Sequence, residues 1–110
     1  MNMTNEEYNK VLQNTVEDCL NLLTIKKEEY SPNGIFHNFE VAAKLQNTTP
    51  EAALGGMLCK HTVSLYDMIK GGIKSYTLEM WNEKIYDHIN YLLLLKAMVH
   101  DEYVAQQGTN

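Results

Sequence analysis

The sequence predicts an all-α protein with four helices in a bundle-like arrangement. Apolar residues recur at helical intervals of three and four in four segments of the chain. Caps and turn residues separate these segments, and no segment alternates as a half-buried strand does. The 110 residues are expected to form a single all-α domain, with a core at about residues 5–103 and a polar C-terminal tail.

The first helix is predicted from a capping box. Thr4 and Glu7 have the spacing in which a threonine hydroxyl and a glutamate cap a helix start. We therefore expect helix 1 to begin near Asn5 and to run to about Glu29. The stretch SPNG at 31–34 then predicts a turn.

Helix 2 is short and is expected to place Phe36, Phe39 and Ala43 on one side. Helix 3 should begin with Thr49 as its N-cap and Pro50 in its first turn.

Paired glycines, Gly71 and Gly72, should end helix 3. Ser75 or Thr77 is expected to cap helix 4, which should run to around Tyr103.

Charge and composition exclude several classes of partner. The net charge is −5 and the chain contains no arginine, which argues against binding duplex nucleic acid. No apolar run approaches the roughly 18–20 residues that cross a bilayer, so no membrane partner is expected. Cys19 and Cys59 lie in apolar helical settings, where we expect two reduced, buried thiols and a cytoplasmic protein.

Helix 3 carries a narrow polar stripe in an otherwise apolar segment. Lys60, Ser64 and Asp67 fall within about 60° of one another on a helical wheel, and His61 is adjacent to them. A solvated helix face is normally broader than this. The stripe therefore needs either an internal polar partner or a ligand, and we expect Lys60 to be poorly solvated.

Helix 4 carries a second stripe. Glu83, Asp87 and Asn90 are spaced one turn apart on the side that continues into the leucine run. Oxygen ligands of this kind suit Mg²⁺, which in turn binds phosphates. The alternatives are an exposed acidic helix start, or a structural network that pairs the two stripes.

Together the two stripes predict a ligand pocket between helices. Lys60, His61 and Lys26 or Lys27 would balance the negative charge of a bound phosphate. At the start of helix 2, backbone N–H groups favour anions. His37, Asn38 and Phe39 lie there, and an aromatic ring beside amide groups suits a nucleobase, although Phe39 also suits the core.

Two glycines in the first half of helix 3, Gly55 and Gly56, each cost about 1 kcal/mol relative to alanine. They imply the close approach of another helix or of a ligand. Helix 4 is apolar around much of its circumference, which predicts a homodimer or larger oligomer with helices 3 and 4 near the interface.

The helix 4 segment EKIYDHINYLLLLKAMV, 83–99, resembles the last core helix of the all-α nucleoside triphosphate pyrophosphohydrolases of the MazG and dimeric dUTPase type. In that family an acidic pair one turn apart precedes a leucine-rich run. The segments KKEEYSPNGIFHNFEVAAKL and KHTVSLYD are similar to small phage-borne members. The resemblance covers about residues 20–100.

This resemblance implies Glu83 and Asp87 as catalytic Mg²⁺ ligands, Asn90 as a pocket residue and Lys60 as a phosphate contact. It also implies cleavage of a nucleoside triphosphate to the monophosphate and pyrophosphate. The family's earlier Glu-x-x-Glu pair has no match, since Glu28 and Glu29 are adjacent and Glu40 stands alone.

Three functions therefore stay open. The first is Mg²⁺-dependent hydrolysis of a nucleotide. The second is a phage anti-defence protein that binds and sequesters a host nucleotide signal in the infected cell without altering it. The third is a helical interaction module whose polar stripes are structural.

Overall fold

The computed structural model describes residues 1–30 and 33–108, without the side chains of residues 26–30, 107 and 108. This part of the chain contains four α-helices and no strands, so the predicted all-α class is confirmed. The helices are α1 (Asn5–Tyr30), α2 (His37–Gln46), α3 (Pro50–Gly71) and α4 (Leu78–Gly108).

The chain divides into two compact units, Met1–Ile35 and Phe36–Asn110. The first unit contains α1. The second contains the other three helices and a single 3₁₀ turn at Ile73–Ser75. The expectation of a single domain stays a prediction.

Helix α1 begins as the capping box predicts. The backbone N–H of Glu7 donates to the hydroxyl of Thr4 at 3.1 Å, and Asn5 is the first helical residue. Cys19 is buried, and its burial, together with the neighbouring Asp18 carboxylate, raises the pKa of its thiol. Several large apolar side chains of α1 are exposed, among them Tyr8, Val11, Leu12, Val16 and Leu20.

The predicted starts of α3 and α4 are confirmed by hydrogen bonds. The N–H of Ala52 donates to the Thr49 hydroxyl at 3.2 Å, and the N–H of Met80 donates to the Thr77 hydroxyl at 3.1 Å. Of the two candidate caps of α4, the structure therefore selects Thr77. The other candidate, Ser75, donates its own hydroxyl hydrogen to the carbonyl of residue 71 at 2.7 Å.

The predicted end of α3 is confirmed, whereas that of α4 is wrong. Gly72 follows α3 with a φ of 95°, which favours glycine. Helix α4 continues beyond Tyr103 to Gly108. The segment between them contains no proline or glycine, so nothing in the local sequence breaks the helix before Gly108.

The core of the second unit forms where α3 packs against both α2 and α4. Phe39, Leu54 and Met98, one residue from each helix, form its buried cluster. Five half-buried side chains surround them: Phe36, Met57, Tyr91, Leu94 and Leu95. Phe36, Phe39 and Ala43 thus share the covered side of α2, as the sequence predicts.

A second set of contacts fixes the start of α4 against the end of α3. The indole N–H of Trp81 donates to the carbonyl of Ile73 at 2.8 Å. The ring of Trp81 also packs edge-on against Tyr76, at 5.9 Å between centroids. Within the described ranges, no helix combines the length and apolar character needed to cross a membrane.

Candidate functional site

The candidate site lies between α3 and α4, which run antiparallel. Met98, late in α4, packs with Leu54, early in α3, whereas Trp81 meets Ile73 at the opposite ends of the two helices. This register places Tyr91 beside the middle of α3, where it contacts Met57 and His61.

Three rings from three helices form a continuous aromatic run. The ring of Tyr91 lies 4.9 Å from that of His61, with 44° between their planes. The ring of Phe39 lies 6.3 Å from that of Tyr91, in an edge-to-face arrangement at 77°. The Tyr91 hydroxyl donates to the sulfur of Met57 at 4.0 Å, a weak contact. These contacts hold α2, α3 and α4 together at one level of the second unit.

Three side chains of α3 and α4 have buried polar atoms without hydrogen-bond partners. Asn90 is only 3% exposed, and neither its amide nitrogen nor its amide oxygen has a partner. The Nδ1 atoms of His61 and His88 are also buried without partners. An unsatisfied buried polar group costs about 1–3 kcal/mol. A buried polar side chain without a partner is therefore a candidate for binding a ligand that supplies the missing hydrogen bond.

The stripe on α3 is positioned differently from the expectation. Ser64 is half-buried, but Lys60 and Asp67 are exposed, so the prediction of a poorly solvated Lys60 is wrong. The side of α3 that packs on α4 contains His61, and Lys60 is rotated about 100° from it. His61, expected beside the stripe, is therefore the residue that faces α4.

The stripe on α4 becomes steadily more buried along the helix. Glu83 is exposed, Asp87 is half-buried and Asn90 is buried. Within the described ranges no three His, Cys, Asp or Glu side chains come close enough together to hold a metal ion. Mg²⁺ is usually bound by one or two carboxylates together with substrate phosphates, so Glu83 and Asp87 fit only a metal that arrives with a phosphate.

The candidate residues at the start of α2 differ in their burial. Phe39 is 8% exposed and belongs to the core, in agreement with the alternative reading of this residue. His37 is half-buried and Asn38 is exposed. The side chain of Lys26 lies outside the described part of the chain.

One further expectation for α3 stays open and another is wrong. Gly55 and Gly56 are exposed, and no heavy atom lies within 4 Å of a Cβ built on either residue, so the close approach of another helix or of a ligand stays a prediction. Cys59 is exposed rather than buried. All three residues lie on the side of α3 that faces away from α4.

A cleft of about 310 Å³ lies elsewhere in the second unit. Its walls contain four carboxylate side chains, which disfavour a phosphate. The residues that line it are Phe36, Glu40, Pro50, Glu51, Met98, Asp101, Glu102 and Ala105.

Sequence reasoning missed the central residue of the aromatic run. Tyr91 was assigned no role of its own, although it follows Asp87 by one helical turn and therefore shares its side of α4. His88, for which the sequence predicts no role, is half-buried.

No protein-family model, curated protein or solved structure matches this chain. The resemblance to the all-α pyrophosphohydrolases therefore rests on the short helical motifs quoted above.

Proposed function

We propose that this protein binds a nucleotide, or a small molecule derived from one, beside the aromatic run of α3 and α4. The observation that carries the proposal is the side-chain amide of Asn90, which is buried and has neither of its hydrogen-bonding atoms satisfied. A buried amide of this kind is costly for the fold alone, and a ligand that pairs with it recovers that cost.

A nucleobase matches the chemistry of this cluster. Its edge offers donors and acceptors side by side, and the Asn90 amide offers the complementary pair. The unpaired Nδ1 of His61 adds a further hydrogen-bonding atom, and the ring of Tyr91 adds an aromatic surface. Entry of a base would require the packing around Asn90 to open locally, since its side chain is almost fully covered.

The phosphates would be bound at the edge of the same region. Lys60 precedes His61 and projects into solvent, and Ser64 is half-buried one turn further along α3. A lysine ammonium that reaches a phosphate from the surface contributes a charge-assisted hydrogen bond. In this proposal Asp67 lies at the outer edge of the site because its side chain is exposed.

Hydrolysis with Mg²⁺ is the second candidate function. Glu83 and Asp87 lie one turn apart on the same side of α4 as Asn90, where they suit a cation bound to the ligand's phosphates. When bound, the cation would supply charge stabilisation and an activated water. If the nucleotide is instead retained intact, the protein acts by sequestration, in the cytoplasm of an infected bacterium if it is encoded by a phage.

A panel of nucleotides with Mg²⁺ separates these functions. The protein is incubated with each compound, desalted and denatured, and the released small molecules are identified by mass spectrometry. Converted nucleotide supports hydrolysis, and intact nucleotide retained in stoichiometric amount supports sequestration. If no nucleotide is retained or altered, the proposal is wrong and the polar stripes are structural.

A further inference from the structure

The side of α3 that faces away from α4 is an exposed, mostly apolar helix face. We refer to it as the α3 outer face. Its seven residues lie within about 100° on the helical wheel, and all are exposed. They are Ala52, Gly55, Gly56, Cys59, Val63, Tyr66 and Lys70.

Side-chain size changes from one end of the α3 outer face to the other. Its first half has only small side chains, and no heavy atom lies within 4 Å of a Cβ built on Gly55 or Gly56. Its second half has large apolar side chains, with Val63 57% and Tyr66 61% exposed. Glycine is unfavourable in a helix interior, and within the described chain no contact accounts for the pair.

We propose that the α3 outer face binds the same face of a second copy of this chain, with the two α3 helices antiparallel. The two-fold axis crosses this face between Cys59 and Val63, at the level of residues 60 and 61 along the helix. In this arrangement the partner's Tyr66 packs over Gly55 and Gly56, and the reverse contact forms on the other side of the axis. A two-fold interface requires a self-complementary surface. A helix face with small side chains at one end and large side chains at the other meets that requirement when two copies pair antiparallel.

Charge follows the same register, with one residue on the α3 outer face and one beside it. Lys70 lies on the face in the last turn of α3, and the half-buried Glu51 lies in the first turn, about 40° beyond Gly55 on the helical wheel. The register that seats the partner's Tyr66 on Gly55 also places the partner's Lys70 opposite Glu51. Each dimer would therefore contain two such pairs of opposite charge at its ends.

The exposed apolar stripe of α4 lacks this complementarity. Its members, Ile85, Leu92, Val99 and Tyr103, are all large, so it offers no small surface to receive them. Of these two faces, only the α3 outer face combines size and charge in a pattern that fits a second copy.

The first test measures mass by light scattering at micromolar protein. The parent chain of 12.6 kDa is expected to have twice that mass. Gly55→Leu adds a side chain where the single chain has free space, so its helix should be more stable as a monomer. In the dimer the added bulk displaces Tyr66, and the dissociation constant should rise by roughly tenfold or more. Ala97→Leu, an exposed site on α4, is the matched control and should remain dimeric.

The second test examines the register. Glu51→Lys or Lys70→Glu alone should weaken the dimer, and the double swap should restore it even though both single changes oppose the α3 dipole. Cys59 lies close to the proposed axis, so a short bis-maleimide should crosslink two copies of the parent and fail with Cys59→Ser.

Three results would overturn the proposal. The first is a monomeric parent. The second is a dimer that Gly55→Leu does not weaken. The third is a monomer that Gly55→Leu destabilises, since that would mean that another part of the same chain covers the face. None of these results depends on nucleotide binding, because every measurement is made without nucleotide and no variant changes Lys60, His61 or Asn90.

Discussion

The imidazole of His61 on α3 lies 4.9 Å from the phenol ring of Tyr91 on α4, with the ring planes tilted by 44°. The residue next to Tyr91 in the chain is Asn90, whose amide is buried without a partner. These two consecutive residues of α4 therefore contribute in opposite directions, since one makes a stabilising aromatic contact and the other buries an unpaired amide. Substitutions can separate these two contributions.

Asn90→Leu is expected to abolish ligand binding without loss of stability in the ligand-free protein. Leucine resembles asparagine in branching, and it removes two unpaired polar atoms whose burial costs about 1–3 kcal/mol. That gain offsets the strain from its larger volume. Thermal melts with and without nucleotide should show an unchanged or higher melting temperature and no shift on adding ligand.

Asn82→Leu, at a half-buried position of the same helix, is the control and should keep the ligand-induced shift. A marked fall in the melting temperature of Asn90→Leu would instead mean that the Asn90 amide has a structural partner in solution.

Tyr91 should act mainly through its ring. Tyr91→Phe keeps the ring contacts and removes the hydroxyl, which donates to the sulfur of Met57 at 4.0 Å, so the free energy of unfolding should fall by less than about 1 kcal/mol. Tyr91→Ala removes both ring contacts and should cost about 2–3 kcal/mol, below the roughly 3–5 kcal/mol of a fully buried aromatic. Urea denaturation measures both. If both variants lost the same free energy of unfolding, the stabilisation by Tyr91 would come from a stronger hydrogen bond of its hydroxyl and not from its ring.

Lys60→Met tests the phosphate contact. Because Lys60 is exposed, the change should leave the melting temperature of the ligand-free protein unaltered. Nucleotide affinity should weaken by about 1.5–3 kcal/mol if the ammonium bonds a phosphate. Titration calorimetry is the measurement, with Lys74→Met as the control for the loss of one surface charge. An affinity equal to that of the parent would remove Lys60 from the site.

Thr77→Ala should destabilise the second unit through its helix cap. The Thr77 hydroxyl accepts a hydrogen bond from the Met80 N–H at the start of α4, and the loss of such a cap costs about 0.5–2 kcal/mol. Thr48→Ala is the control, because Thr48 bonds through its backbone N–H to the carbonyl of Ala43. Urea midpoints that are equal for the two variants would contradict the assigned cap.

The helix starts were predictable because each depends on a few neighbouring residues. Thr4, Thr49 and Thr77 each cap a helix as the local sequence indicates. Gly72 follows the end of α3 with a positive φ, which glycine adopts readily. The end of α4 was not predictable in the same way. The polar residues after Tyr103 contain no helix breaker, and polarity alone does not end a helix.

The candidate site was predictable only in part, because helical spacing fixes which residues share a side but not which side is covered. The spacing correctly grouped Asp87 with Asn90. It could not show that α3 turns His61, rather than Lys60, towards α4. That orientation depends on the packing of Leu54 and Met57 against other helices, which is tertiary information.

Cys19 should make stability depend on pH in the alkaline range. Burial and the Asp18 carboxylate raise the pKa of its thiol above the ordinary value of 9.0. The unfolded chain therefore loses this proton first as the pH rises. The stabilising contribution is fully present below pH 9.0 and is lost as the pH rises through the higher pKa of the folded state. Other groups titrate in this range, so the informative quantity is the difference between the parent and Cys19→Ala.

Urea denaturation of both proteins, from about pH 8 to about pH 10.5, measures that difference. Cys19→Ala will have a lower unfolding free energy at pH 8 because it loses buried volume. The gap between the two proteins should then narrow as the pH rises, because only the parent contains the titrating thiol. In the Cys59→Ser protein, the remaining thiol should react slowly with maleimide until urea unfolds the chain. A constant gap between the two denaturation series, with rapid labelling of the folded protein, would show that the Cys19 thiol is accessible to solvent.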